Sequence, residues 1–120
     1  MKIKEITIEN FRSYYGANVF RIADGLTLII GSNGDGKSTF YDALDWLMDT
    51  TGKNKMDLKY ISKKRLSELS IGEADSVRVS MIYELNGQDR MLERSFSFTR
   101  EKDGATTKDF QYTVRCIASR

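Results

Sequence analysis

Apolar and polar residues alternate at the start of the chain. Ile6 and Ile8 stand between Glu5, Thr7 and Glu9, and Asn10 closes the segment, so residues 2–9 are predicted to form a strand. After Gly16, Val19, Phe20 and Ile22 mark a second short strand over 18–22. Asp24-Gly25 is a turn signal, and Leu26–Ile30 follows as an unbroken apolar run, the pattern of a strand covered on both faces. From Lys37 the period changes. Phe40, Leu44, Leu47 and Met48 recur three and four residues apart, with Asp42, Asp45 and Asp49 off that stripe, which predicts a helix over 37–49 closed by Thr51-Gly52. Val77, Val79 and Met81 then alternate with Arg78 and Ser80, and Asn86-Gly87 is a strong hairpin signal. Met91–Phe98 returns as the partner strand, and Asp103-Gly104 turns the chain into a third strand of this meander over 110–117.

The chemistry is concentrated where the buried-type strand meets the helix. Gly31-Ser32-Asn33-Gly34-Asp35-Gly36-Lys37-Ser38-Thr39 fits G-x-x-x-x-G-K-[ST], and the strand before it and helix after it are the setting that motif requires. Glycines let successive amide N–H groups turn inward as a nest for anionic oxygens, and the helix start adds unsatisfied donors and the positive end of the macrodipole. Asn33, Gly34, Gly36, Lys37, Ser38 and Thr39 are therefore the candidate nucleotide-binding residues. Lys37 supplies a point charge to the β- and γ-phosphates, Ser38 is the candidate Mg²⁺ ligand, and Thr39 can donate near the α-phosphate. The expected cofactors are ATP and Mg²⁺. Asp35 is read as pointing outward, because a carboxylate inside the cradle would repel the phosphates.

Composition narrows the alternatives. The chain has 120 residues, one domain's worth, with 40% hydrophobic and 30% charged positions, enough for a packed core. It has no histidine, which excludes a Ser-His-Asp triad or an imidazole metal ligand. A single cysteine, Cys116, excludes an internal disulfide, and with no apolar leader at the amino terminus a reducing, cytoplasmic setting is expected. No apolar run suits a membrane span. Overall charge is nearly balanced, 19 basic against 17 acidic residues, but residues 53–65 carry a local excess of five positive charges. That stretch reads either as a solvated loop or as a track for a DNA backbone. Trp46 beside Leu47 is expected in the core, whereas Tyr14, Tyr15 and Tyr60 are candidates for stacking on a base.

Ile6–Tyr14, Leu26–Ile30, the Gly31–Thr39 loop and Asp42-Ala43-Leu44 together resemble the amino-terminal lobe of ABC-type ATPase heads of the SMC, Rad50 and RecF group, strongly to about residue 48. The Ser13-Tyr14-Tyr15-Gly16 wording is most similar to bacterial defence-associated members such as Lamassu-type ATPases. The resemblance implies an α/β fold of the P-loop NTPase type: a mixed sheet, one helix after the phosphate loop and an antiparallel β meander. It also implies that Asn10, Arg12 and Ser13 lie beside the nucleotide, the arginine touching base or phosphate. It further implies ATP-dependent pairing with a second head, binding of double-stranded DNA, and work in DNA repair, chromosome maintenance or defence alongside a nuclease or effector subunit. In a bacterium, nucleoid association would follow.

Such an ATPase also needs an apolar strand ending in Asp-Glu and a serine-glycine signature. Val79–Glu84 lacks the Asp-Glu pair and reads as a hairpin strand, and Leu69-Ser70-Ile71-Gly72-Glu73 reads as a loop with a turn glycine. No catalytic residue is therefore assigned within residues 1–120. The chain is expected to be one lobe, ending before a coiled coil and the carboxy-terminal lobe, and to contribute to ATP hydrolysis only within the longer protein. The alternatives are a non-catalytic nucleotide-binding module and a transporter-type ATPase subunit.

Overall fold

The computed structural model describes residues 2–22, 34–49 and 56–117, with the side chains of 34–38 excepted. Two strands come first, β1 (Lys2–Phe11) and β2 (Tyr14–Arg21), then helix α1 (Gly34–Met48). A 3₁₀ turn (Leu58–Tyr60) leads into the short helix α2 (Lys63–Glu68). The meander follows as β3 (Ala74–Leu85), β4 (Gln88–Glu101) and β5 (Gly104–Cys116). The strands form one five-stranded sheet in the order β2-β1-β3-β4-β5, antiparallel at every pairing. The described sheet is thus antiparallel rather than mixed; the strand expected over 26–30 lies outside the described residues.

Register places the apolar alternates on one face. Ile8, Val79, Arg94 and Tyr112 form one cross-strand row, and Ile6, Met81, Leu92 and Val114 form the next. Ile6, Ile8, Val77, Val79 and Phe98 are fully buried beneath α1, which contributes Phe40, Ala43, Trp46 and Leu47. Each large side chain taken wholly out of water here adds about 1.5–3 kcal/mol. The buried stripe differs slightly from the expected one. Trp46 is buried, as expected, and Ala43 joins the stripe, whereas Met48 is 51% exposed at the end of the helix.

Element starts shift for identifiable reasons. The helix begins at Gly34, not Lys37, because the second half of the glycine-rich loop is already helical and glycine carries no periodic signal. β5 begins six residues before the expected Phe110, since a bulge opposite Ser95–Ser97, with Asp109 at φ 58°, breaks its alternation. The β3–β4 hairpin is as expected: Asn86 and Gly87 both have positive φ, 54° and 77°, the geometry of a type I′ turn. The described part of the basic stretch is folded rather than a loop. Asp57 caps the 3₁₀ turn by accepting from the Lys59 amide at 2.9 Å, and buried Ser62 caps α2 by accepting from the Arg65 amide at 3.2 Å.

Candidate functional site

β1 ends in a corner that depends on one side chain. Asn10 and Arg12 both take the left-handed conformation, φ 53° and 51°, with a bulge in the pairing to β2 between Glu9 and Phe11. Asn10 is 3% exposed. Its Nδ2 donates to the Ser76 carbonyl at 3.0 Å, and its Oδ1 accepts from the Gly16 amide at 2.9 Å. The 56–62 strap then lies against this corner. The Arg12 amide donates to the Tyr60 carbonyl and the Ser62 amide to the Asn10 carbonyl, both at 2.9 Å, with a bridge between Phe11 and Ile61.

Between α1, the β1–β2 corner and the strap opens a cleft of about 1090 Å³. One wall is α1, presenting Thr39, Asp42, Asp45, Trp46 and Asp49; the other is the strap with Lys59 and Tyr60 and the start of α2 with Lys63 and Lys64; Arg12 and Ser13 stand at the corner. Trp46 and Tyr60 belong to both cleft and core. Tyr60 stacks on Phe11 at 5.3 Å and 17°, and Trp46 lies 5.8 Å from each of those rings and 5.9 Å from Phe96. Tyr15 also reaches the cleft. Its hydroxyl donates to Glu68 at 2.5 Å, with the Lys64 ammonium 4.5 Å from its ring. That bond holds the Glu68 carboxyl below its usual range and pushes the Tyr15 phenol up. Tyr14 instead packs edge-on against Phe20 at 5.8 Å, where burial raises its phenol.

The expected site residues are thus distributed as follows. Arg12, Ser13 and Thr39 come together along one cleft. Arg12 there forms an ion pair with Asp42, one turn along α1 from Ser38. Asn10 lies behind the corner with its amide fully engaged, so it shapes the turn that presents Arg12 and Ser13 instead of facing the cleft. Gly34, Gly36, Lys37 and Ser38 occupy the opening turns of α1, the Lys37 and Ser38 side chains and all of Asn33 lying outside what is described. The helix N-terminus offers backbone donors and the positive dipole end, so the donor set suits an anion such as a polyphosphate.

The sequence pattern assigns no role to Arg94, which falls inside the strand predicted over Met91–Phe98. It is mid-strand, 4% exposed, beneath the carboxy-terminal end of α1. Its guanidinium donates to the carbonyls of Trp46 and Asp49, and the rings of Trp46, Phe110 and Tyr112 lie 5.6, 5.4 and 4.9 Å from its central carbon. Loss of solvent lowers its pKa. A positive charge at this end complements the helix dipole. The Leu69–Glu73 segment is a turn, as expected: Gly72 has φ 92°, and the Glu73 carboxylate accepts from the Ser70 amide at 2.6 Å, which lowers its pKa. Among the described residues no group of acidic, histidine or cysteine side chains suits a metal ion.

A family model described as an AAA domain matches residues 5–115. The chain is 29% identical over 117 residues to the DNA double-strand break repair Rad50 ATPase of Methanosarcina mazei, covering 98% of this chain and 10% of that protein. It is 35% identical over 97 residues to the Rad50 ATPase of the same description from Pyrococcus abyssi, 81% of this chain and 10% of that one. To the chromosome partition protein Smc of Mycobacterium leprae it is 32% identical over 116 residues, 88% and 9% of the two chains. The SMC head domain from Thermotoga maritima shares the fold with a TM-score of 0.57 at 19% identity, over 98% of this chain and 39% of that one. A second structure, from work on ATP-driven dimerization and DNA-stimulated activation of SMC ATPases, gives 0.61 at 20% identity, over 98% and 73%. The chain spans about a tenth of the length of the curated relatives it matches.

Proposed function

The chain belongs to the AAA domain family, as an amino-terminal lobe of the SMC/Rad50-like ATPase kind, and we propose that it binds Mg-ATP through the Gly31–Thr39 loop. The observation that supports this reading is the convergence of Arg12, Ser13 and Thr39 on one cleft beside the helix that starts inside the motif. The roles follow from the residue chemistry. Amides around Asn33, Gly34 and Gly36 receive phosphate oxygens, Lys37 balances the charge of the terminal phosphates, and Ser38 gives its hydroxyl to magnesium. Held there by Ser38, magnesium would supply positive charge to offset that of the phosphates. Thr39 and Ser13 are hydroxyl donors farther along the nucleotide, and Arg12 is the cation at the cleft corner.

The rest of the function belongs to the longer protein. A second head, like or unlike this one, closes over the nucleotide, and the pair engages DNA in repair, chromosome maintenance or defence, with a nuclease or effector subunit as the further partner. The names carried by the Rad50 and Smc relatives, double-strand break repair and chromosome partition, support the DNA-repair and chromosome part of this reading. The first test is Lys37→Ala in the intact protein. Removing a charged donor to phosphate should weaken Mg-ATP binding on the order of 100-fold by calorimetry. Undiminished affinity would overturn the assignment.

A further inference from the structure

Arg12 is held at two levels. Its amide is fixed to the Tyr60 carbonyl at 2.9 Å, while its guanidinium leaves the strained corner and meets the Asp42 carboxylate across the end of the cleft. Asp42 lies three residues beyond Thr39, about 4.5 Å along the helix axis, at the end of the cleft nearest the phosphate loop. Both side chains remain solvated, 44% and 40% exposed, so the pair can open without leaving a buried charge behind. The same wall continues as Asp45 and then Asp49, facing Lys59, Lys63 and Lys64 across the opening. Arg12 is tied to that acidic wall through Asp42.

We propose that Asp42 sets the affinity of the site for polyphosphate by competing for Arg12: the Arg12–Asp42 pair must open before the guanidinium can turn to a phosphate. This deepens the Mg-ATP reading and rests on it. The anion that wins the exchange must present dense negative charge, which a triphosphate does and a nucleoside does not. Asp42 and Asp45 together disfavour an anion lying along the helix, so the charged end of the ligand is confined to the amino-terminal end of α1.

A double-mutant cycle on the intact protein tests this, with Mg-ATP and then Mg-tripolyphosphate as calorimetric probes and a denaturation curve for each variant as a folding control. Asp42→Asn should tighten binding of both probes about 3- to 5-fold at low salt, the amount expected when a solvated ion pair no longer competes. In an Arg12→Gln background the same substitution should change affinity less than about 1.5-fold, because the competitor's target is gone. The Asp42→Asn gain should also shrink as salt is raised. An equal gain in both backgrounds would mean that Asp42 merely repels the ligand through space, and overturns the proposal. Weaker binding in Asp42→Asn would mean that Asp42 orients Arg12 for the ligand, and overturns it too. If wild-type binding proves independent of Lys37, the Mg-ATP reading itself fails; Lys37-dependent binding without Arg12–Asp42 coupling defeats only the competition.

Discussion

Both functional ends of the Asn10 amide are engaged with backbone groups, one of them 66 residues away in sequence. Its left-handed φ of 53° is one that asparagine tolerates better than most residues. Asn10→Ala would leave the Gly16 amide and the Ser76 carbonyl without a partner inside a nearly closed corner, and would add backbone strain. We expect a loss of about 2–4 kcal/mol, read from the urea midpoint. The corner then relaxes, so nucleotide affinity should fall through displacement of Arg12 and Ser13. A stability within 0.5 kcal/mol of wild type would contradict this account. The residue type and its place after an alternating strand were legible in the sequence; its role was not. Which way an amide turns depends on Ser76, and nothing local to residues 9–13 encodes that strand crossing.

At the level of elements, the helix that opens in the phosphate loop is fastened at its other end by β4. The Arg94 guanidinium, in the same row as Ile8 and Val79, donates to the Trp46 and Asp49 carbonyls at the end of that helix. Arg94→Ala removes both bonds and the contact with three rings, and should cost about 2–4 kcal/mol. Arg94→Lys should recover only part, since an ammonium cannot span both carbonyls with a planar fork. Trp46 is the sole tryptophan and lies 5.6 Å from that guanidinium, so native emission should shift in both variants. An Ala variant as stable as wild type with unchanged emission would show that the clamp is inert. The alternating stretches around Ile6 and Ile8 of β1 and Val77 to Met81 of β3 could be read from periodicity, as could the Asn86-Gly87 turn. The folded strap could not. Lys59 and, just beyond it, Lys63 and Lys64 dominate the local composition, while what holds the strap is buried Ile61 and Ser62 and two backbone bonds to the Asn10–Arg12 corner.

Taken as a whole, the molecule has one face built for α1 and another that is polar. The row of Thr7, Ser80, Glu93 and Thr113 crosses four strands on the far side, and Arg78 lies between Glu9 at 3.5 Å and Glu93 at 3.7 Å. β3 thus lacks the apolar pattern on both faces expected of the magnesium-side strand of an ATPase. Its register runs straight into the hairpin, with Glu84 opposite Asp89 and Leu85 opposite Gln88. Glu84 is held at the far end of the strand from Asp75, which meets Arg65 of α2 at 2.6 Å. If hydrolysis in the longer protein draws its water-orienting carboxylate from another segment, Glu84→Gln should leave kcat and KM for ATP within about twofold of wild type, well under the 10²-fold or greater loss typical of removing a catalytic acid–base group. The decisive measurement is steady-state turnover of the intact protein at saturating Mg-ATP. A hundredfold fall in kcat at unchanged KM would place Glu84 at the reacting water, and would require this sheet to carry both halves of the chemistry.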